Sequence, residues 1–218
     1  MMDYKAARHM MVEAQLRTNR VINPALIDAL EAVPREIFVP KQMAGGAYVD
    51  GAVPIGNGRS LMEPMVFGRM AQFADVKATD VVLDVGCASG YSAAVLSHVA
   101  STVVALEVDS ELAGRASAAL ATLGVDNVAV VTGALQEGDA QHGPYDVIII
   151  EGQIPAVPKA LLDQLAEGGR LLAVIDHGPG PGRATLYTRT AGAISHRIVF
   201  DATAGRLPGF AAAVPFSL

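Results

Sequence analysis

Four residues between positions 84 and 107 have the types and spacing of a ligand site: Asp84, Gly86, Gly90 and Glu107. The first three lie in VVLDVGCASGYSAAVL, which reads as a strand, a glycine turn and a helix. A helix that starts there aims free backbone N–H groups at the crevice beyond the strand. The turn departs from the dinucleotide fingerprint G-x-G-x-x-G, because Ala88 and Tyr91 stand where its second and third glycines would be. Asp84, two residues before Gly86, would repel a pyrophosphate but suits a cationic ligand. Glu107 ends the next strand, 21 residues after Gly86. That is the interval at which an acidic side chain can accept hydrogen bonds from ribose hydroxyls.

Together these features fit an adenosine-type ligand with a positive centre. S-adenosyl-L-methionine, with a sulfonium and an ammonium, is the obvious candidate. A plainer alternative stays open: Asp84 as a cap or helix-dipole residue and Glu107 as a solvated strand end. Cys87 could be a nucleophile, but no histidine is close in sequence and a small buried filler is the better reading. A second stretch, PIGNGRSLMEP at 54–64, packs glycines, prolines, a hydroxyl, a cation and an anion together. Its composition is that of a turn, or of a loop shaped around a ligand.

Composition narrows the partners. The net charge is −6 and no cluster of Lys and Arg exists, which argues against nucleic acid. Cys87 is the single cysteine, so an internal disulfide and a cysteine-cluster metal site are excluded. His9, His98, His142, His177 and His196 lack metal-ligand spacing, and no metal is expected. The N-terminus has no apolar signal region, and no apolar run reaches the roughly 18 residues needed to span a bilayer. A soluble cytoplasmic protein with no membrane partner is expected.

The elements that must position these residues follow from periodicity. Helices are expected at 3–17, 24–32 and 64–74, with Asn23-Pro24 as N-cap and first helical position. Residues 33–64 are rich in Pro and Gly and lack periodicity. From 81, strands at 81–85, 102–108, 127–133, 145–152 and 170–176 alternate with helices at 92–100, 110–124 and 158–166. Val/Ile/Leu strands alternating with helices mean a parallel sheet covered on both faces. ATLYTRT and AISHRIVF then read as an antiparallel hairpin at the sheet edge. LPGF at 207–210 is open between a lid and a chain-end turn. The fold class is α/β: a doubly wound, mostly parallel Rossmann-like sheet. An N-terminal helical and loop segment (1–64) feeds the ligand-binding unit (65–218), the two forming one compact body.

The chain resembles the protein-L-isoaspartate O-methyltransferases, a branch of the class I S-adenosylmethionine-dependent methyltransferases. The matching segments are QLRTNRVINPALIDALEAVPREIFVP, AYVDGAVPIGNGRSLMEP, VLDVGCASGYSAAVLS and PYDVIIIEGQIPAVPKALLDQLAEGGRLLAVI. The resemblance covers about residues 10–176 and implies a seven-stranded sheet. It places the donor over Gly86, Ala88, Ser89 and Gly90, beside Asp84, with Glu107 on its ribose. It makes Ile55, Gly56, Gly58 and Arg59 part of a loop shaping the acceptor pocket. The acceptor it implies is a carboxylate of an abnormal aspartyl residue in damaged protein.

Three departures bear on activity. The family's loop reads P-I-G-x-G-Q-T-I-S-x-P, and here Arg59, Ser60, Leu61 and Met62 replace Gln, Thr, Ile and Ser. Met62 takes the place of the serine that touches the reacting centre, and Ser60, on the same side of an extended stretch, is a candidate substitute. The family's G-D-G after the third strand is Gly133-Ala134-Leu135 here, so a carboxylate that bonds the adenine is lost. Its T-A-A after the fourth strand is Glu151-Gly152-Gln153. Glu151 either lines the crevice, where it would bond the donor or a cationic acceptor, or pairs with Arg59 or another cation. The expected activity is carboxyl methylation of isoaspartyl residues. The alternatives are a methyltransferase with an altered acceptor, an unknown carboxylate among the candidates, and a catalytically inactive donor-binding or interaction protein that kept the fold.

Overall fold

The chain begins with a helical stretch, α1 (Tyr4–Met11), capped by the Asp3 carboxylate on Ala6 N at 3.0 Å. It continues as one wider turn (Val12–Leu16) and one tighter turn (Arg17–Asn19). Met11, Val12 and Leu16 are its buried face. Helix α2 (Pro24–Ala32) starts as expected, with the Asn23 side chain accepting from Leu26 N and proline in the first turn. This computed structural model describes residues 2–210.

Residues 33–64 hold more order than their missing periodicity suggests. Two short 3-10 turns (Arg35–Phe38 and Lys41–Gly46) lead into a β-hairpin of β1 (Val53–Gly56) and β2 (Arg59–Leu61). Its strands have only four and three residues, too few to show alternation. Helix α3 (Pro64–Ala74) follows, as the spacing predicts.

A seven-stranded sheet forms the body, in the order β5-β4-β3-β6-β7-β8-β9. Its strands are β3 (Val81–Val85), β4 (Thr102–Glu107), β5 (Val128–Thr132), β6 (Tyr145–Ile154), β7 (Leu165–Ile175), β8 (Gly182–Thr190) and β9 (Ala193–Ala202). The first five strands pair in parallel, and β8 and β9 add the antiparallel edge. Helices α4 (Tyr91–Ser97), α5 (Ser110–Thr122) and α6 (Lys159–Asp163) connect them. Helix α6 is shorter than expected because residues from Leu165 onward already belong to β7, with Leu165 opposite Tyr145.

The central strands alternate between two apolar layers. Val82, Val103, Val147 and Leu172 pack with residues of α2–α5, whereas Leu83, Val104, Ile148 and Leu171 pack with Leu135 and Leu161 on the other face. This two-sided burial is why the strands are continuously apolar in sequence. The N-terminal helices share the first layer, so residues on both sides of position 64 contribute to one core.

Candidate functional site

Strand order reverses at β3, whose neighbours are β4 on one side and β6 on the other. Ligands of open α/β sheets bind beyond the carboxyl ends of strands at such a point. The glycine turn lies there. Gly86 and Gly90 have φ of 78° and 94°, a region a side chain enters only with strain. At Gly90 a Cβ would also come within 2.9 Å of Ala116 Cβ, so α5 packs directly on the turn.

Glu107 is fully buried at the end of β4 and has every oxygen in use. Oε2 accepts from Ala88 N at 2.8 Å, while Oε1 accepts from Val108 N at 2.9 Å and Asp109 N at 3.1 Å. Oε1 also takes the Arg59 guanidinium at 2.7 Å. Arg59 Nη2 donates to Gly86 O at 2.9 Å, and the arginine side chain is only 7% exposed, so water cannot substitute for either partner. The β1–β2 hairpin holds Arg59 in place. Asn57 at its tip donates to Asp109 Oδ2 at 2.7 Å, and Arg115 donates to Ile55 O at 2.9 Å.

Asp84 and Glu151 are the unusual charges. Asp84 is fully buried; Oδ2 accepts from Ser92 Oγ at 2.6 Å, while Oδ1 has no partner. Burial pushes its carboxyl up to about 7, against the pull of the Ser92 hydrogen bond, with the Glu107 charge adding to the rise and Arg59 opposing it. Glu151 lies where β6 advances four residues, Ile149 to Gln153, while β7 advances two, Leu172 to Val174. Such a bulge re-aims a side chain. Glu151 Oε1 is buried without a partner, and burial followed by the Asp84 charge raises its carboxyl well above the ordinary range.

A cavity of about 10 Å³ is lined by Arg35, Ser60, Met62, Gly86, Ala88 and Glu151 among others, including Ser92, the partner of Asp84. Ser60, Leu61 and Met62 all line it. Arg35 is a fully buried cation. It stacks 4.6 Å from the Tyr91 ring centroid and donates to Ala47 O at 2.8 Å and Met62 O at 2.7 Å. A second cavity of about 20 Å³ lies between Gly58, Arg59, Glu151 and Leu207. Each has room for about one water.

Several expectations need correction or relocation. Glu151 does not pair with Arg59, whose charge is taken by Glu107, and among the described residues Glu151 has no ion pair. Arg59 pairs with Glu107 at the end of β4 and also lines the second cavity with Ser60 and Met62. Ile55 is a core side chain, Gly56 and Gly58 supply the positive φ of the hairpin turn, and Ser89 donates its hydroxyl to Phe38 O. Gly133 and Ala134 follow β5 and line neither cavity. Cys87 is a buried filler whose thiol burial pushes well up, which removes the nucleophile reading. His9, Glu13 and Glu31 come together within 4.8 Å on the exposed N-terminal helices, where His9 already bonds Glu31 at 2.9 Å.

Arg35 and Leu207 were not among the expected site residues. Arg35 lies within the VPRE motif, but nothing in its spacing marks it as buried beneath the crevice. Leu207 belongs to the LPGF stretch that was open between lid and turn. The segment pairs with the end of β6, Gln153 N donating to Gly205 O at 2.8 Å and Leu207 N to Gln153 O at 3.1 Å. That pairing lays the Leu207 side chain over the glycine turn.

A nucleoside-bearing cation suits the chemistry of this set, since two buried carboxyl oxygens lack partners and Glu107 faces a bare glycine turn. The space does not suit it, because Arg59 and Leu207 fill the crevice.

The sheet order, the glycine turn at its reversal point and the carboxylate ending β4 define a Rossmann-like fold with a ligand crevice at its switch point. A model of the family protein-L-isoaspartate(D-aspartate) O-methyltransferase matches residues 6–201. A Synechococcus protein-L-isoaspartate O-methyltransferase is 39% identical over 83% of this chain and 74% of its own length. A Pelobacter propionicus protein of the same name, numbered 2, is 41% identical over 76% of this chain and 73% of its own. The chain belongs to the protein-L-isoaspartate(D-aspartate) O-methyltransferase family. A solved structure from Plasmodium falciparum, described as a putative member in complex with S-adenosyl-L-homocysteine, superposes with a TM-score of 0.79. It covers 96% of this chain and 100% of that one at 19% identity, a likeness of fold. Among the described residues no helix is long and apolar enough to cross a membrane.

Proposed function

We propose that the protein is an S-adenosylmethionine-dependent carboxyl O-methyltransferase acting on abnormal aspartyl residues of damaged protein or peptide in the cytoplasm. The observation that carries this reading is the shared cavity: Ser60 of β2, Met62 just after it and the glycine-turn residues Gly86 and Ala88 line one space. The loop expected to shape the acceptor is thereby closed directly onto the turn expected to hold the donor.

The donor supplies an electrophilic methyl group. A carboxylate acceptor has a reference pKa near 4 and arrives ionised, so this chain need not supply a base. Its task is to orient the acceptor and exclude water. Met62 walls the cavity with an adaptable apolar side chain, and Arg35 beneath it provides the positive charge that attracts a carboxylate. Glu151 would repel such an acceptor if ionised. Burial pushes its carboxyl well above the ordinary range, which favours the neutral form and weakens that repulsion.

Incubation with labelled donor and paired peptides, one isoaspartyl and one aspartyl, tests this. The expected result is a base-labile methyl ester on the isoaspartyl peptide alone. No ester on that peptide, under conditions where donor binding is verified, would sink the reading. Met62 and Glu151 favour a second reading, a methyltransferase with an altered acceptor, which predicts that both peptides stay unlabelled while another acceptor in a cell extract is methylated.

A further inference from the structure

We propose that Arg59 and Leu207 are internal occupants of the donor crevice, and that S-adenosylmethionine binds only when the β1–β2 hairpin and the 204–207 segment move off it. This rests on the methyltransferase reading above and concerns how its donor site is controlled. Three placements carry it. Arg59 Nη1 lies 2.7 Å from Glu107 Oε1, the acceptor that a ribose hydroxyl would use. Gly86, bare so that a ligand can approach its backbone, is covered by the chain itself: a Cβ there would meet Leu207 Cδ2 at 3.1 Å and Arg59 Nη2 at 3.2 Å. At Gly152, across the crevice, a Cβ would be 2.6 Å from Leu207 Cγ. The remaining space, about 10 and 20 Å³, admits water and not a nucleoside.

Both occupants ride on tethered segments. The hairpin is held by Asn57 on Asp109 and Arg115 on Ile55 O, and the 204–207 segment by its pairing with Gln153 and by Arg206 on Asp176 at 2.8 Å. Arg206 is 80% exposed, so that last tether is open to competition from solvent or a partner charge. Position 59 is the determinant. A glutamine, the residue of the resembled motif, has no charge with which to hold Glu107.

Apparent affinity falls by the fraction of molecules in the binding-competent state, so an open state populated at a tenth or less weakens donor binding about tenfold or more. Calorimetric titration of the full chain with S-adenosylhomocysteine, alongside Arg59→Gln and Leu207→Ala, reads this directly. Arg59→Gln is expected to bind at least about tenfold tighter than the unaltered protein, and Leu207→Ala tighter by a smaller factor. A purely structural role for either residue gives no gain in affinity. Equal or weaker binding by both variants overturns the proposal while leaving the methyltransferase reading in place: equal binding makes the two residues structural, and weaker binding by Arg59→Gln makes Arg59 a donor ligand. Absence of binding by all three proteins overturns both. Should Arg59→Gln fold poorly, the sign of the Leu207→Ala change decides alone.

Discussion

Glu107→Ala should lower stability by about 3–5 kcal/mol, the cost of stranding a buried partner of an ion pair. The substitution leaves the Arg59 guanidinium, 7% exposed, with Gly86 O as its remaining recorded partner. It also orphans the N–H groups of Ala88, Val108 and Asp109, which the carboxylate now collects. Each orphaned donor that stays buried adds about 1–3 kcal/mol, although the turn has freedom to relax toward solvent. For a chain of this size, 3 kcal/mol corresponds to a fall in Tm of roughly 6–12 °C. Thermal or urea unfolding measures it. A loss below about 1 kcal/mol would show that the pair contributes little. Arg59→Gln in the Glu107→Ala background should recover part of the loss, because the stranded charge is gone, and that double-mutant cycle isolates the pair from the backbone bonds.

Asp84→Asn should make stability less dependent on pH. Burial first, then the Glu107 charge, raises the Asp84 pKa to about 7 from its unfolded value near 3.8. The folded state therefore holds the proton when the unfolded state has lost it. Between pH 4 and 7 the folded state binds more protons, so stability falls as pH rises through that window and levels off above 7. The full shift corresponds to a decrease on the order of 4 kcal/mol. Asparagine removes this slope and retains an acceptor for Ser92. The variant should match the unaltered protein near pH 4 and exceed it by about 1–4 kcal/mol at pH 8. Urea unfolding across pH checks the trend. A difference that does not change with pH would place the Asp84 pKa near its ordinary value.

The parallel sheet was legible because its physics is local. Strands buried on both faces must be continuous runs such as VVLDV and VIII, and observed β3 matches its expected bounds. The placement of Asp84, Gly86 and Glu107 in β3, its turn and the end of β4 was legible for a related reason: a strand, a turn, a helix and a second strand fix the interval between them. The β1–β2 hairpin was not, because Pro54 and Gly56 interrupt strands too short to establish a period. Arg59 on Glu107 joins residues 48 apart, and no spacing rule spans that distance. The loop's composition marked it as a turn or a ligand-shaping segment, yet its docking on the start of α5 through Asn57 on Asp109 and Arg115 on Ile55 O has no local signature. Glu151 depended on a bulge in β6, which a run of isoleucines does not announce. Leu207 depended on a chain-end segment returning to β6, a long-range pairing with no local signature.

A crystal structure of the full chain with S-adenosylhomocysteine tests the site assignment most directly. The expected result has the nucleoside over Gly86–Gly90 with its ribose hydroxyls on Glu107, and the Arg59 guanidinium and Leu207 side chain withdrawn from Gly86. A nucleoside bound elsewhere, or bound with the Arg59–Glu107 pair intact, contradicts it.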